Sequence, residues 1–129
     1  MQAEQMLQSG RLDEALEALT RQVRDNPADA ELRVFIFQML AVRGRWERAM
    51  TQLNVAAEMD PANLLMAQVC RAALNCEAFR AQVFAGARSP LVFGEPDPWV
   101  GWMVQANVAV ASGDWGLPGY LRGRAFEAA

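Results

Sequence analysis

Apolar residues recur along this chain at helical spacing, and no stretch of useful length alternates with the two-residue period of a half-buried strand. Leu12, Ala15, Leu16, Leu19 and Val23 form one stripe, and Trp46, Ala49, Met50, Leu53 and Ala57 form its copy. The pattern predicts helices near residues 2–9, 12–25, 29–43, 46–59, 62–85 and 97–112. Leu32, Val34, Phe35, Ile36, Phe37, Met39, Leu40 and Val42 leave the third of these almost no polar side, so it should be buried on several sides and form the centre of the domain. Phe35, Ile36, Met39 and Leu40 are expected in the core, with Trp46 and Leu53 against them.

The two stripes belong to a longer duplication. Gly10-Arg11-Leu12-Asp13-Glu14-Ala15-Leu16 aligns with Gly44-Arg45-Trp46-Glu47-Arg48-Ala49-Met50, and Asn26-Pro27-Ala28 aligns with Asp60-Pro61-Ala62, all at an offset of 34 residues. Each glycine suits the left-handed residue that closes a helix. Each proline stops a helix, because it lacks an N–H and clashes with the preceding turn. Small Ala15 and Ala49 let a neighbouring helix approach closely. A 34-residue period with a turn glycine, a small residue five positions on and a closing proline resembles the tetratricopeptide repeat. The fold this implies is all-α, helical hairpins stacked as a right-handed α-α superhelix whose surface holds another protein.

The repeat then breaks. Position 78, where a third turn glycine would fall, is Ala78, so helix 62–85 should run long and unpaired until Gly86. A proline-rich loop follows, with Pro90, Pro96 and Pro98 around Leu91-Val92-Phe93, and then helix 97–112. Gly116, Pro118, Gly119 and Gly123 oppose any helix after Gly113. The organisation expected is a repeat region over 1–86 and a loop with a C-terminal helical segment over 87–129, packed as one domain. Leu121 and Phe126 near the end want a partner surface, as if a further element should follow.

Composition narrows the function. With 53% hydrophobic residues the chain can bury a core, and its formal charge of −3 argues against a phosphate-backbone partner. All twelve basic residues are Arg, and there is no His or Lys. That removes the commonest general base and metal ligand, and with them the serine triad, the Schiff-base nucleophile and the phosphate-loop lysine. No cofactor, metal or catalytic residue is expected. Cys70 and Cys76, six positions apart on one helix, are out of disulfide reach and read as small buried hydrophobes. The start lacks the basic and apolar regions of a signal peptide, and the longest uncharged run, residues 98–113, is too short for a membrane span. A cytoplasmic protein without membrane insertion is the expectation.

Other candidate sites read as structural. Glu14 and Glu17 lie opposite their helix's apolar stripe and form a solvated face. Asp97 before Pro98 fits a helix N-cap followed by a first-turn proline. Arg43 in a last turn complements the helix dipole. Leu91, Val92, Phe93, Trp99 and Trp102 either pack across the helices as a lid or form an aromatic patch for a partner.

Several segments resemble the ImpE/TagJ family of type VI secretion accessory proteins. They are Arg33-Val34-Phe35-Ile36-Phe37-Gln38, Gly44-Arg45-Trp46-Glu47-Arg48-Ala49, Asp60-Pro61, and above all Pro90-Leu91-Val92-Phe93-Gly94-Glu95-Pro96-Asp97-Pro98-Trp99. Gly113-Asp114-Trp115, Leu121-Arg122 and Ala125-Phe126-Glu127-Ala128 also look like that family, and Gly116, Pro118 and Gly119 depart from it. The resemblance implies the N-terminal helical portion of an adaptor, with no catalytic residues. Its implied partner is a helix of the small subunit of the contractile sheath, which it links to the sheath-disassembly ATPase. A generic repeat chaperone or scaffold for another protein is the alternative. Projecting the repeat register onto the first helix of each pair points to Val34, Gln38, Val42, Gln68, Arg71 and Asn75 as the contact surface, with Phe93 as a wall.

Overall fold

The structure is a computed structural model that describes residues 2–129, all in helices, turns and loops, with no strand among the described residues. The helices are α1 (Gln2–Gln8), α2 (Leu12–Asp25), α3 (Ala30–Val42), α4 (Trp46–Met59), α5 (Leu64–Phe84), α6 (Pro98–Ala111) and α7 (Gly116–Ala128). A 3₁₀ turn at Pro61–Asn63 leads into α5. Backbone contacts divide the chain into two compact units, one ending at Cys76 and one spanning Glu77–Ala129, with α5 running through the boundary.

The first unit holds two antiparallel hairpins, α1–α2 and α3–α4, and the first part of α5. The hairpins close by the same hydrogen bonds 34 residues apart. The N–H of Gly10 donates to the Leu7 carbonyl and that of Arg11 to Met6; the N–H of Gly44 donates to Ala41 and that of Arg45 to Leu40. This pairing needs a left-handed residue, and Gly10 and Gly44 supply it at φ 76° and 69°. Even the residues that open the second helices match: Arg11 has φ −90° and ψ 67°, Arg45 φ −88° and ψ 61°. The repeat read from sequence is thus a repeat in backbone geometry.

Packing follows the stripes. Ala15, Leu19, Leu40, Ala49 and Leu53 are fully buried, and the two alanines leave room for close helix approach. Two expectations for α3 need correction. Phe35 is only half-buried, and Phe37 takes its place in the core beside Ile36, Met39 and Leu40. Trp46 packs against the core and is only partly buried. Polar ties reinforce this packing. Within the second hairpin the Arg33 guanidinium donates to Gln52 Oε1 on α4 (2.9 Å), and it also donates to the Pro27 carbonyl in the connection before α3 (3.3 Å); Arg43 at the end of α3 pairs with Asp13 at the start of α2 and so joins the two hairpins.

No turn interrupts α5 at Ala78, so the third repeat is indeed absent there. Cys70 is partly buried on this helix, but Cys76 is exposed, contrary to its reading as a buried hydrophobe.

In the second unit α5 ends at Phe84, and Gly86 just beyond it turns the chain at φ 75°, where an added Cβ would come within 2.7 Å of the Ala111 Cβ. Glycine is therefore required there by both backbone and space. Asn107 Nδ2 on α6 donates to the Val83 carbonyl in the last turn of α5 (2.7 Å). Asp97 does precede Pro98 at the α6 N-terminus, but its carboxylate makes no capping hydrogen bond; its backbone carbonyl accepts from Val100 instead.

The glycine-rich end is helical, which corrects the expectation drawn from Gly116, Pro118, Gly119 and Gly123. Gly119 and Gly123 within the helix cost about 2 kcal/mol relative to alanine. Asp114 Oδ1 offsets part of that by accepting from the N–H groups of Gly116 and Leu117 (3.1 and 3.2 Å), a cap of about 1 kcal/mol. Pro118 lies in the first turn, where its missing N–H would have had no helical partner. Burial of Pro118, Leu121 and Ala125 against α6 supplies the rest. The Arg124 guanidinium also stacks over the Trp102 ring, 4.6 Å from its centre.

Candidate functional site

An open cleft of about 800 Å³ is formed in the first unit by α1, the C-terminal end of α2 and α3. Its apolar lining is Leu7, Leu32, Val34 and Phe35. Around these stand the carboxylates Glu4, Asp29 and Glu31 and the amides Gln8, Gln22, Asn26 and Gln38. The apolar part exists because α3 is apolar on nearly every side: one face enters the core through Ile36, Met39 and Leu40, and Val34 and Phe35 are left over to face the cleft.

Asp29 caps α3, its Oδ1 accepting from the Leu32 N–H at 3.1 Å, and so fixes the helix start beside the cleft. Gln22 Oε1 is buried and has no hydrogen-bond partner among the described residues.

The residues singled out by the repeat register fall in several places. Val34 and Gln38 line the cleft. Val42 continues their row on α3, 71% exposed, beyond the lining. Gln68 and Asn75 are exposed on α5. Arg71 is half-buried and its Nε donates to Asn54 Oδ1 on α4 at 2.6 Å, so it is held against the neighbouring helix. Phe93 lies in the second unit and is 92% exposed, and Leu91 and Val92 beside it are exposed too.

Projection of first helices alone missed the contribution of α2. Gln22 and Asn26 follow buried Leu19 by three and seven positions, on the same helical face. Amides continuing an apolar stripe were the available signal. Leu7 and Glu4 were missed because α1 is too short to show a stripe.

Residues 6–73 match the tetratricopeptide repeat family, and the chain belongs to that family. Over all of its length it is similar, at 46% identity, to the type VI secretion system accessory component TagJ of Pseudomonas aeruginosa, of which it covers 46%. The resemblance to the ImpE/TagJ family seen in the sequence thus extends along the whole chain. The crystal structure of protein VPA1032 from Vibrio parahaemolyticus superposes with a TM-score of 0.88 at 28% identity, covering 98% of this chain and 48% of that one. The chain therefore spans about half the length of both relatives. No helix among the described residues is long and apolar enough to cross a membrane.

Proposed function

We propose that this chain is the partner-holding part of a type VI secretion accessory component, and that its cleft takes a helix of the small subunit of the contractile sheath. By that contact it would connect the sheath to the ATPase that disassembles it, in the cytoplasm. The observation that carries the reading is the cleft itself: apolar side chains from α1 and α3 ringed by amides and carboxylates. That arrangement suits a helix laid apolar face down, with polar edges satisfied along both sides. Similarity to TagJ along the whole chain supports the secretion context.

On this reading Val34 and Gln38 touch the partner within the cleft, and Val42, Gln68 and Asn75 extend the surface beyond it. Arg71 supports that surface through Asn54. Phe93 is reserved for a second contact. The role is binding rather than catalysis. Co-purification of the sheath small subunit with this protein from a lysate of the same organism tests the reading. Loss of the small subunit from the eluate when Val34 is replaced by Asp supports it. Retention with that variant would move the contact away from the cleft.

A further inference from the structure

We infer that a groove between α2 and α4 docks an acidic peptide segment through Arg21, Arg24 and Arg48. The groove holds about 540 Å³. Asp13, Glu17, Thr20 and Arg24 line it along one face of α2, with Arg21 beside them, and α4 supplies Arg48. Gln22 and Asn26, which line the cleft described above, lie about half a turn around α2 from Glu17, Thr20 and Arg24. The two surfaces share no residue, so one can be filled without the other.

The groove gathers arginines that the fold leaves unused. Arg11, Arg33, Arg43, Arg71, Arg80, Arg88 and Arg124 are each engaged by a hydrogen bond, an ion pair or an aromatic ring. Arg21, Arg24, Arg45, Arg48 and Arg122 have no such partner among the described residues, and three of these five meet in one groove. Of the two carboxylates in the lining, Asp13 is taken up by Arg43, which leaves Glu17 against three guanidinium groups. Arg24 has a local reason for its place, since a cation in the last turn of a helix complements the dipole. Arg48 has none: it stands in the first turn of α4, where the dipole disfavours a cation. A carboxylate accepting from its guanidinium would offset that cost. The chain as a whole carries −3, so the groove is a local reversal of sign and not part of a general attraction for anions. Its guanidinium groups come from two helices, which suits carboxylates spread along a peptide.

The test uses three synthetic peptides that share one glycine–serine frame and carry Glu, Gln or Lys at alternate positions. Each is titrated into the intact protein by fluorescence anisotropy at about 0.05 M and about 0.5 M NaCl, conditions that differ several-fold in screening length. The Glu peptide should bind about tenfold or more tighter than the other two at low salt, and the gap should narrow at high salt. Arg21→Gln, Arg24→Gln and Arg48→Gln combined should weaken the Glu peptide about tenfold or more. Arg122→Gln, at an unpaired arginine of the second unit, should leave it unchanged, and Glu17→Gln should tighten it about two- to fivefold. All of these positions are exposed, so circular dichroism should not change. No binding of the Glu peptide, equal binding of all three peptides, or undiminished binding by the triple variant would overturn the acidic docking. An equal loss in Arg122→Gln would reduce it to non-specific attraction and overturn it too. Displacement of the peptide by millimolar inorganic phosphate at constant ionic strength would assign the groove to a small oxyanion instead.

Discussion

Arg71 Nε donates to Asn54 Oδ1 across 2.6 Å, so the basic side chain nearest the middle of α5 fastens that helix to α4. The tie joins α5, which has no pairing helix of its own repeat, to the second complete hairpin. Removing it leaves a partly buried amide without its donor. Arg71→Ala should lower stability by about 1–2 kcal/mol, and Asn54→Ala by a similar amount. The double variant should lose less than the sum, because both changes remove one bond. Full additivity in a thermal-melt cycle would show that the two side chains act separately.

Phe35 and Phe37 should divide between binding and stability. Phe37 is buried, and its truncation leaves a cavity, so Phe37→Ala should cost about 3–5 kcal/mol. Phe35 is half in the cleft, so Phe35→Ala should cost under about 2 kcal/mol and weaken partner binding. Urea melts and binding titrations on the two variants check the split. A larger stability loss for Phe35 than for Phe37 would reverse the assigned faces of α3.

Most of the fold was legible in the sequence. The 34-residue offset placed both hairpins, their glycine closures and the uninterrupted α5, because turn geometry at Gly10 and Gly44 and the stop at Pro27 and Pro61 are local properties. What was not legible has a physical reason. A helix as apolar as α3 carries no moment to say which face points inward, so Phe35 and Phe37 were exchanged. Helix α7 reads poorly because its propensity is low, and its stability comes from contacts with α6 and from the Asp114 cap, which no local pattern weighs. Half of the cleft was legible, through Val34 and Gln38. The rest comes from α1, which is too short to show a stripe, and from the end of α2, a second helix that the projection left out.

Gly123 should tolerate and benefit from alanine. It lies within α7, has no atom within 4 Å of a built Cβ, and does not need a left-handed backbone. Gly123→Ala should raise stability of the C-terminal helices by about 0.5–1 kcal/mol. Thermal melting followed by circular dichroism reads this directly. A destabilised variant would mean that α7 is not helical at that position. Gly86→Ala should act in the opposite direction, since the new methyl would strike Ala111.

Amide exchange should show α5 as one protected helix through Asn75, Cys76, Glu77 and Ala78, as its hydrogen bonding runs unbroken from Leu64 to Phe84. Fast exchange confined to those four amides would reveal a turn and a hidden third repeat.

The central claim is that the cleft of α1, α2 and α3 holds a helix of the sheath small subunit. Its most direct measurement is calorimetric titration of the purified small subunit into the wild-type protein and into a Val34→Asp, Gln38→Arg double variant. Gln38 is exposed and Val34 is only partly buried against the core, so binding is compared only after circular dichroism shows that the variant keeps its helical content. The account predicts saturable binding by the wild type and a loss of at least about a hundredfold in the double variant, as expected for charges placed in a desolvated contact. Unchanged affinity in a folded double variant would contradict it and move the contact to another surface.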